Sequence, residues 1–295
     1  MGGTRRLCYV TMTTVLLALA TSVLFGAGDF LGGVATRRDS PFAVTGTSHL
    51  LSLVLLSGVV LLTPAERVTA ADVIWGALAG VAALAGVLAL LGAFAAGRMG
   101  IATAVSAALS AAVPTVYDVL RGTELSPLTL GGIVLAIVAI VIVSIAPDSE
   151  FNAPVANYRP RRAIGFAILS GIGFALSFIA LSFTAPESGL VPVLATRVVS
   201  LTIAIVLAFR FGKGFPAGKS ALPASLAAGV TDALANVTML TALRIGPLAI
   251  ASVLGSLFPL VVMLLARIFL GERLHAWQRV GVTLAVVAVL LSAAP

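Results

Sequence analysis

VIWGALAGVAALAGVLALLGAFA, residues 73–95, contains no charged side chain and no period-two alternation of polar and apolar residues. Such a run reads as a helix crossing a bilayer, since about 20 apolar residues rising 1.5 Å each span a hydrocarbon layer of ~30 Å. The missing alternation argues against a strand of a membrane β-barrel. Similar runs recur along all 295 residues, of which 60% are hydrophobic and 10% charged. The mean hydropathy is +1.14. A soluble domain of this length needs a far larger charged surface. Charge, proline and glycine punctuation divides the chain into ten spans at about 10–34, 42–62, 72–95, 100–120, 127–145, 163–184, 190–209, 220–242, 248–268 and 276–293. The expected fold class is all-α integral membrane, and the lipid bilayer is the first partner.

The formal charge of +7 does not indicate nucleic acid, because the 18 Lys and Arg sit scattered at the ends of apolar runs. They read as membrane-surface anchors and topology signals. One cysteine, Cys8, excludes an internal disulfide and a Cys-based metal cluster. His49 and His275, far apart, exclude a His-rich metal site. No metal or cofactor is expected. The start, MGGTRRLCYVTMTTVLLALATS, resembles a signal peptide, yet the apolar run continues through VLFGAGDFLGGVA without a break. It is read as an uncleaved first span.

The two halves match at a nearly constant offset. Adding 149 takes Gly80 to Gly229, Gly97 to Gly246, Gly122 to Gly271, Leu125 to Leu274 and Gly132 to Gly281. Adding 148 takes Ser22 to Ser170, Phe30 to Phe178, Thr36 to Thr184, Ser40 to Ser188 and Ser52 to Ser200. The expected organisation is therefore a first five-helix repeat over 1–146, a polar, Pro-containing linker over 147–162 and a second five-helix repeat over 163–295. Five is odd, so the second half enters the membrane from the opposite side. Ten transmembrane helices in two inverted five-helix repeats is an architecture that secondary transporters use to expose a midplane site alternately.

At this point the residues resemble a known family. The five-plus-five pattern is similar to the drug/metabolite transporter superfamily, specifically its EamA-type members. FGAGDFLGGVATRR looks like a variant of the family's opening helix, and SGLVPVLATRVVS resembles its seventh span. GRMGIATAVSAALSAAVP and RIGPLAIASVLGSLFP look like its fourth and ninth spans, and FLGERLHAWQRVGVTLAVVAVLLS its Gly-Glu closing signature. The first-half counterpart, RGTELSPLTLGG, departs from that signature, placing Glu124 one position later than Glu272. The resemblance implies transport of small metabolites or toxic compounds, often efflux.

Polar residues inside the spans are the candidate site. Asp232 lies near the middle of AGVTDALANVTML, 228–240, where a charge costs about 3 kcal/mol on insertion scales. It needs a partner, a water-filled cavity or a proton. Asn236 at i+4 and Gly229 at i−3 share its face, and Gly229 is read as leaving room beside the carboxylate. The alternative is a structural hydrogen bond between helices. Arg197, eight residues into its span, does not readily lose its proton and needs an anion. Asp232 is the first candidate and Asp29 the next. The repeat register puts His49 where Arg197 sits; it is either a titrating group or a helix-contact histidine. Asp29, beside the small-residue face of Gly28 and Gly32, either lines a cavity or is an interfacial carboxylate near Arg37 and Arg38.

Pro114 and Pro259 each remove a backbone donor within a span, as kinks or gates would, though they differ by four residues in the repeat register. Ser106, Ser110, Ser252 and Ser256 precede them and read either as cavity lining or as ordinary helix packing. Asp118 and Arg121 are expected to pair at i, i+3. Ser126-Pro127 reads as a helix start.

The N-terminus and even-to-odd loops carry 5 Lys and Arg against 12 on the other side, Arg197 excluded. The positive-inside rule places the richer side in the cytoplasm and the termini outside, whereas the resemblance implies cytoplasmic termini.

The leading reading is a secondary transporter, most naturally an exporter, of a small organic metabolite or drug-like compound in the cell membrane. It works by alternating access, with the proton gradient a candidate driving force. A flippase for a lipid-linked or amphiphilic substrate, or a non-transporting adaptor, is the alternative. No GxxxxGK[ST], HExxH or GxSxG is present to suggest nucleotide hydrolysis or a membrane enzyme. Substrate identity, direction, coupling ion and oligomeric state stay open at this level.

Overall fold

Leu, Ala and Val dominate the apolar runs, and in hydrocarbon a chain must satisfy its own backbone, so these runs form helices. The computed structural model describes residues 2–96, 99–144, 159–212, 214–270 and 276–292. The helices are α1 Gly2–Thr36, α2 Pro41–Leu62, α3 Ala70–Ala96, α4 Met99–Leu120, α5 Pro127–Ser144, α6 Pro160–Ser182, α7 Val191–Phe211, α8 Leu222–Ile245, α9 Leu248–Gly255, α10 Phe258–Leu270 and α11 Ala276–Ser292. Six of them carry stretches long and apolar enough to cross a membrane, and shorter apolar stretches run over Val105–Leu120, Pro127–Ile142 and Leu248–Val262. Large apolar side chains such as Leu61, Leu62, Phe209 and Ile268 face outward, as lipid contact requires.

The ten expected spans appear within a few residues, except that the ninth is two helices, α9 and α10. Pro259 explains why the second piece tolerates a proline. It is the second residue of α10, where its missing N–H has no helical acceptor to lose. Pro114, by contrast, lies inside an uninterrupted α4. The two prolines thus have different backbone consequences, one beside a break and one within a continuous helix. Ser126 caps α5 as expected, its Oγ accepting from Thr129 N at 3.1 Å.

Two faces can be defined from the loops. On the upper face, loop 37–40 meets loop 214–221. Arg38 donates to the Ser220 carbonyl at 3.1 Å, and Gly218 N and Ala217 N donate to Asp39 and Thr47. On the lower face, loop 63–69 meets segment 183–190. Arg67 N donates to the Glu187 carbonyl at 3.2 Å, and Ala185 N to Asp72 Oδ1 at 2.8 Å.

The most extensive helix pairs are α1 with α8, α3 with α6 and α5 with α11. Close approach depends on small residues. A Cβ on Gly80 would stand 2.6 Å from the Thr196 carbonyl oxygen, and one on Gly229 would stand 2.5 Å from that of Ser48. These contacts draw α3 onto α7 and α8 onto α2. Two hydroxyls pin them: Thr196 Oγ1 donates to the Gly76 carbonyl at 2.7 Å, and Ser48 Oγ to that of Ser225 at 2.9 Å. Gly229 therefore does not leave room beside Asp232; α2 occupies that space.

Candidate functional site

Four helices bring their polar residues together at mid-depth. Arg197 on α7 is buried, and its Nη2 donates to Asp232 Oδ1 on α8 at 2.9 Å. Its Nη1 stands 3.2 Å from His49 Nε2 on α2. A guanidinium only donates, so His49 Nε2 is the acceptor and the imidazole proton sits on Nδ1. Asn236, one turn along α8, donates to the Asp232 carbonyl at 2.8 Å and to Oδ1 at 3.2 Å. Asp29 on α1 lies within electrostatic reach of Asp232. The expected Arg197–Asp232 pair is present, and His49 joins it as a third member that offset matching alone did not reveal.

The cluster is incompletely satisfied. Asp232 Oδ2, Arg197 Nε, His49 Nδ1 and the Oγ atoms of Ser22 and Ser52 are buried without a hydrogen-bond partner among the described residues. Buried polar atoms are nearly always paired, because an orphaned group forfeits about 1–3 kcal/mol. The unpartnered atoms of Asp232, Arg197 and His49, which belong to one bonded group, can accept a polar ligand or water.

Asp29 is placed differently. Along α1, Val15, Ala18 and Ser22 form a buried stripe, and Asp29 continues it two turns above Ser22. The outward stripe of Met12, Leu16 and Val23 lies on another side of the helix. Yet Asp29 is exposed, and at Gly32 and Gly33 an added Cβ would meet nothing within 4 Å. The carboxylate thus lies on the inward stripe of α1 with open space beside it, in the upper half. Gly28, unlike Gly32, packs tightly, with Thr231 Oγ1 2.9 Å from where its Cβ would be.

The lower half is sealed. Arg244 at the end of α8 donates to the Gly189 carbonyl at 2.7 Å, to Ser188 Oγ at 2.9 Å and to Thr184 Oγ1 at 3.2 Å. Asp72 caps the start of α3, Oδ2 accepting from Thr69 N and Oγ1 at 2.9 and 2.6 Å. Met239, Leu240 and Leu243 of α8 pack with Leu181 and Phe178 of α6, with Trp75, and with Val193. The sequence marked Arg244 only as a topology charge; its ties to segment 184–189 are long-range and left no local signal.

Other expectations are corrected or narrowed. Asp118 does not pair with Arg121. Its Oδ2 accepts from Ala249 N at the start of α9 at 2.9 Å and its Oδ1 from Thr123 Oγ1 at 2.9 Å. Arg121 instead donates to Tyr117 Oη at 3.3 Å and lies over the Phe183 ring. Three of the four serines bond across helices or the ninth-span break, Ser106 to Ser170 at 2.8 Å and Ser110 to Ser256 at 3.0 Å, while Ser252 donates to the Ala249 carbonyl of its own helix. Glu272, His275 and residues 145–158, which include most of the 147–162 linker, lie outside the described residues. No group of three or more His, Cys, Asp or Glu that could hold a metal occurs among the described residues.

A solved crystal structure of a protein superposes on this chain with a TM-score of 0.76, covering 95% of this chain and 96% of that one at 16% identity; the likeness is one of fold. No curated protein matches the chain. The model of the EamA-like transporter family matches residues 161–294, from the start of α6 through α11. Six helices long and apolar enough to cross a bilayer make this a multi-pass membrane protein. Over residues 161–294 the chain is thus similar to the EamA-like transporter family, in keeping with the motifs that resemble the drug/metabolite transporter superfamily.

Proposed function

We propose that the chain is a secondary transporter that exports a small organic metabolite by alternating access between two inverted five-helix repeats. The ion-paired cluster of Arg197, Asp232, His49 and Asn236, together with Asp29, is its binding site, and Pro114 and Pro259 mark the helices that flex around it. One observation carries the reading. The bond from Thr196 to the Gly76 carbonyl and the bond from Ser48 to the Ser225 carbonyl are the same contact under exchange of the halves, at offsets 148 and 149. The contacts of Gly80 with Thr196 and of Gly229 with Ser48 exchange in the same way.

Helix pairing supports it further. Exchange of halves turns α1–α8 into α6–α3 and leaves α2–α7 and α5–α11 on themselves. The loop joining α1 and α2 lies on the upper face, and its counterpart joining α6 and α7 lies on the lower, as inversion requires. A twofold axis passing between α2 and α7 brings equivalent positions together, and His49 and Arg197, 148 residues apart, are in contact. The site lies between the halves, where rocking of one against the other would expose it to each side in turn.

The exchange is broken in one respect. α6 and α8 meet in the lower half, while their counterparts α1 and α3 barely touch among the described residues. This fits a state open above and sealed below. For proton coupling the carboxylates are the carriers: His49 Nε2 is taken up by Arg197, while Asp29 has no bonded cation among the described residues. Flux of a metabolite panel through proteoliposomes, with and without a pH gradient, tests the reading. It expects uptake of at least one compound, driven by the gradient and lost in Asp232→Asn at normal protein level. pH-driven flux unchanged in Asp232→Asn removes the proton role, and a panel without flux removes transport of such compounds.

A further inference from the structure

Four cations of the upper face meet at one corner, where loop 37–40, the end of α7 and loop 214–221 come together. Arg38 donates to the Ser220 carbonyl at 3.1 Å. The rings of Phe42 and Phe211 stand 6.5 Å apart, and a Cβ on Gly212 would lie 2.8 Å from Ser40 Oγ. Arg37, Arg38, Arg210 and Lys219 are all exposed there. Asp39 is the carboxylate among them, and its two oxygens accept from the backbone N–H groups of Ser40 and Gly218. Asp29, eight residues before Arg37, lies about 12 Å further down α1. The corner thus carries a surplus of positive charge.

The fold does not ask for these cations. The matching corner below is built from the end of α2, loop 63–69 and segment 183–190. At offset 148 it holds Ala185, Pro186, Leu62 and Ala71 in place of Arg37, Arg38, Arg210 and Lys219. Its own charged groups, Glu66, Asp72 and Glu187 against Arg67 and Arg244, leave a negative surplus. Leu61 and Leu62 face outward there, and Phe209 and Arg210 take their places above. Phe209 and Phe211 are 66% and 67% exposed on either side of Arg210, whose guanidinium carbon is 5.4 Å from the Phe211 ring centroid. Exposed rings flanking a guanidinium at a helix end fit the boundary between hydrocarbon and headgroups. A guanidinium can fork two N–H donors onto one phosphate. A soluble anion would gain nothing from the rings.

We infer that this corner binds the headgroup of an acidic phospholipid. Arg210 takes the phosphate, Arg37, Arg38 and Lys219 supply the surrounding positive field, and Phe209 and Phe211 lie along the acyl chains. In a Trp75→Phe, Trp277→Phe background, Phe209→Trp reports on the corner and Leu61→Trp on its counterpart below. Each protein is reconstituted in phosphatidylcholine bilayers with rising fractions of brominated phosphatidylglycerol or brominated phosphatidylcholine, and quenching gives the preference between headgroups. Several cations a few ångströms from one headgroup charge predict a preference for phosphatidylglycerol of about tenfold at Phe209→Trp. None is expected at Leu61→Trp. Arg38→Gln, Arg210→Gln and Lys219→Gln together should abolish the preference, and inorganic phosphate should not relieve the quenching.

No preference at Phe209→Trp, an equal preference at both reporters, or one that survives the triple substitution overturns the proposal. Relief of quenching by inorganic phosphate overturns it too, since the site would then take a soluble anion. If the triple variant does not accumulate as folded protein, Arg210→Gln alone must weaken the preference. The site does not depend on transport, and no flux is measured, so this result and the proteoliposome result stand or fall separately.

Discussion

Breaking the Arg197–Asp232 pair one residue at a time should cost far more than removing it whole. Replacing Arg197 with Met keeps an unbranched side chain of similar reach but leaves the Asp232 carboxylate with only the Asn236 amide, near Asp29 and with its own Oδ2 still unpartnered. Replacing Asp232 with Leu leaves a buried guanidinium whose remaining partner is one imidazole nitrogen. Removing one member of a buried ion pair typically destabilises by about 3–5 kcal/mol, since the survivor stays charged and desolvated. Charges about 4 Å apart at an effective dielectric of 20 attract by roughly 4 kcal/mol. The double variant loses that attraction once and carries no uncompensated charge from the pair. Its destabilisation should therefore fall short of the sum of the singles by about 2–3 kcal/mol, the upper range seen for contacting residues. Equilibrium unfolding of purified protein in mixed micelles, over the four members of the cycle, measures this coupling. Strict additivity within about 0.5 kcal/mol would refute the reasoning, because it would mean that the two side chains do not share a desolvated bond.

Three other outcomes follow from named contacts. Gly80→Ala and Gly229→Ala should each destabilise by about 1–3 kcal/mol, because each methyl would press on a backbone carbonyl that cannot yield; an effect at one position and none at the other would contradict the exchanged contacts in thermal or denaturant unfolding. Arg244→Met removes the donors that hold segment 184–189, and amide exchange there should accelerate at least tenfold while exchange at the upper loops 37–40 and 214–221 is unchanged. Asp118→Ala uncaps α9 and should cost about 1–2 kcal/mol in unfolding, whereas Arg121→Ala, not bonded to Asp118, should not reproduce that loss.

The helices were legible because hydrocarbon leaves an apolar run few alternatives, so span limits followed from punctuation alone. The break of the ninth span was not, since Pro114 and Pro259 look alike in sequence and differ only in position within their helices. Arg197 and Asp232 could be matched because a buried guanidinium demands an anion. His49 had been set at the depth of Arg197 by the repeat, but depth does not establish contact; the meeting of α2 with α7 does. Asp118 was misassigned because a helix offers a near partner at i+3, while its actual partner, the first turn of α9, is 131 residues away. Gly229 was misread for a related reason: a missing side chain signals space, and the fold filled that space with another helix.

The most direct test of the account is whether the two faces move in opposition. Spin labels at Met12 and Glu187 span the lower seal, and labels at Lys219 and Arg162 span the upper opening; pulsed dipolar spectroscopy gives both distance distributions. Loosening the seal with Arg244→Met should lengthen the lower distance and shorten the upper one in the same sample. A lower distance that lengthens while the upper stays fixed would contradict alternating access about the Arg197–Asp232 site.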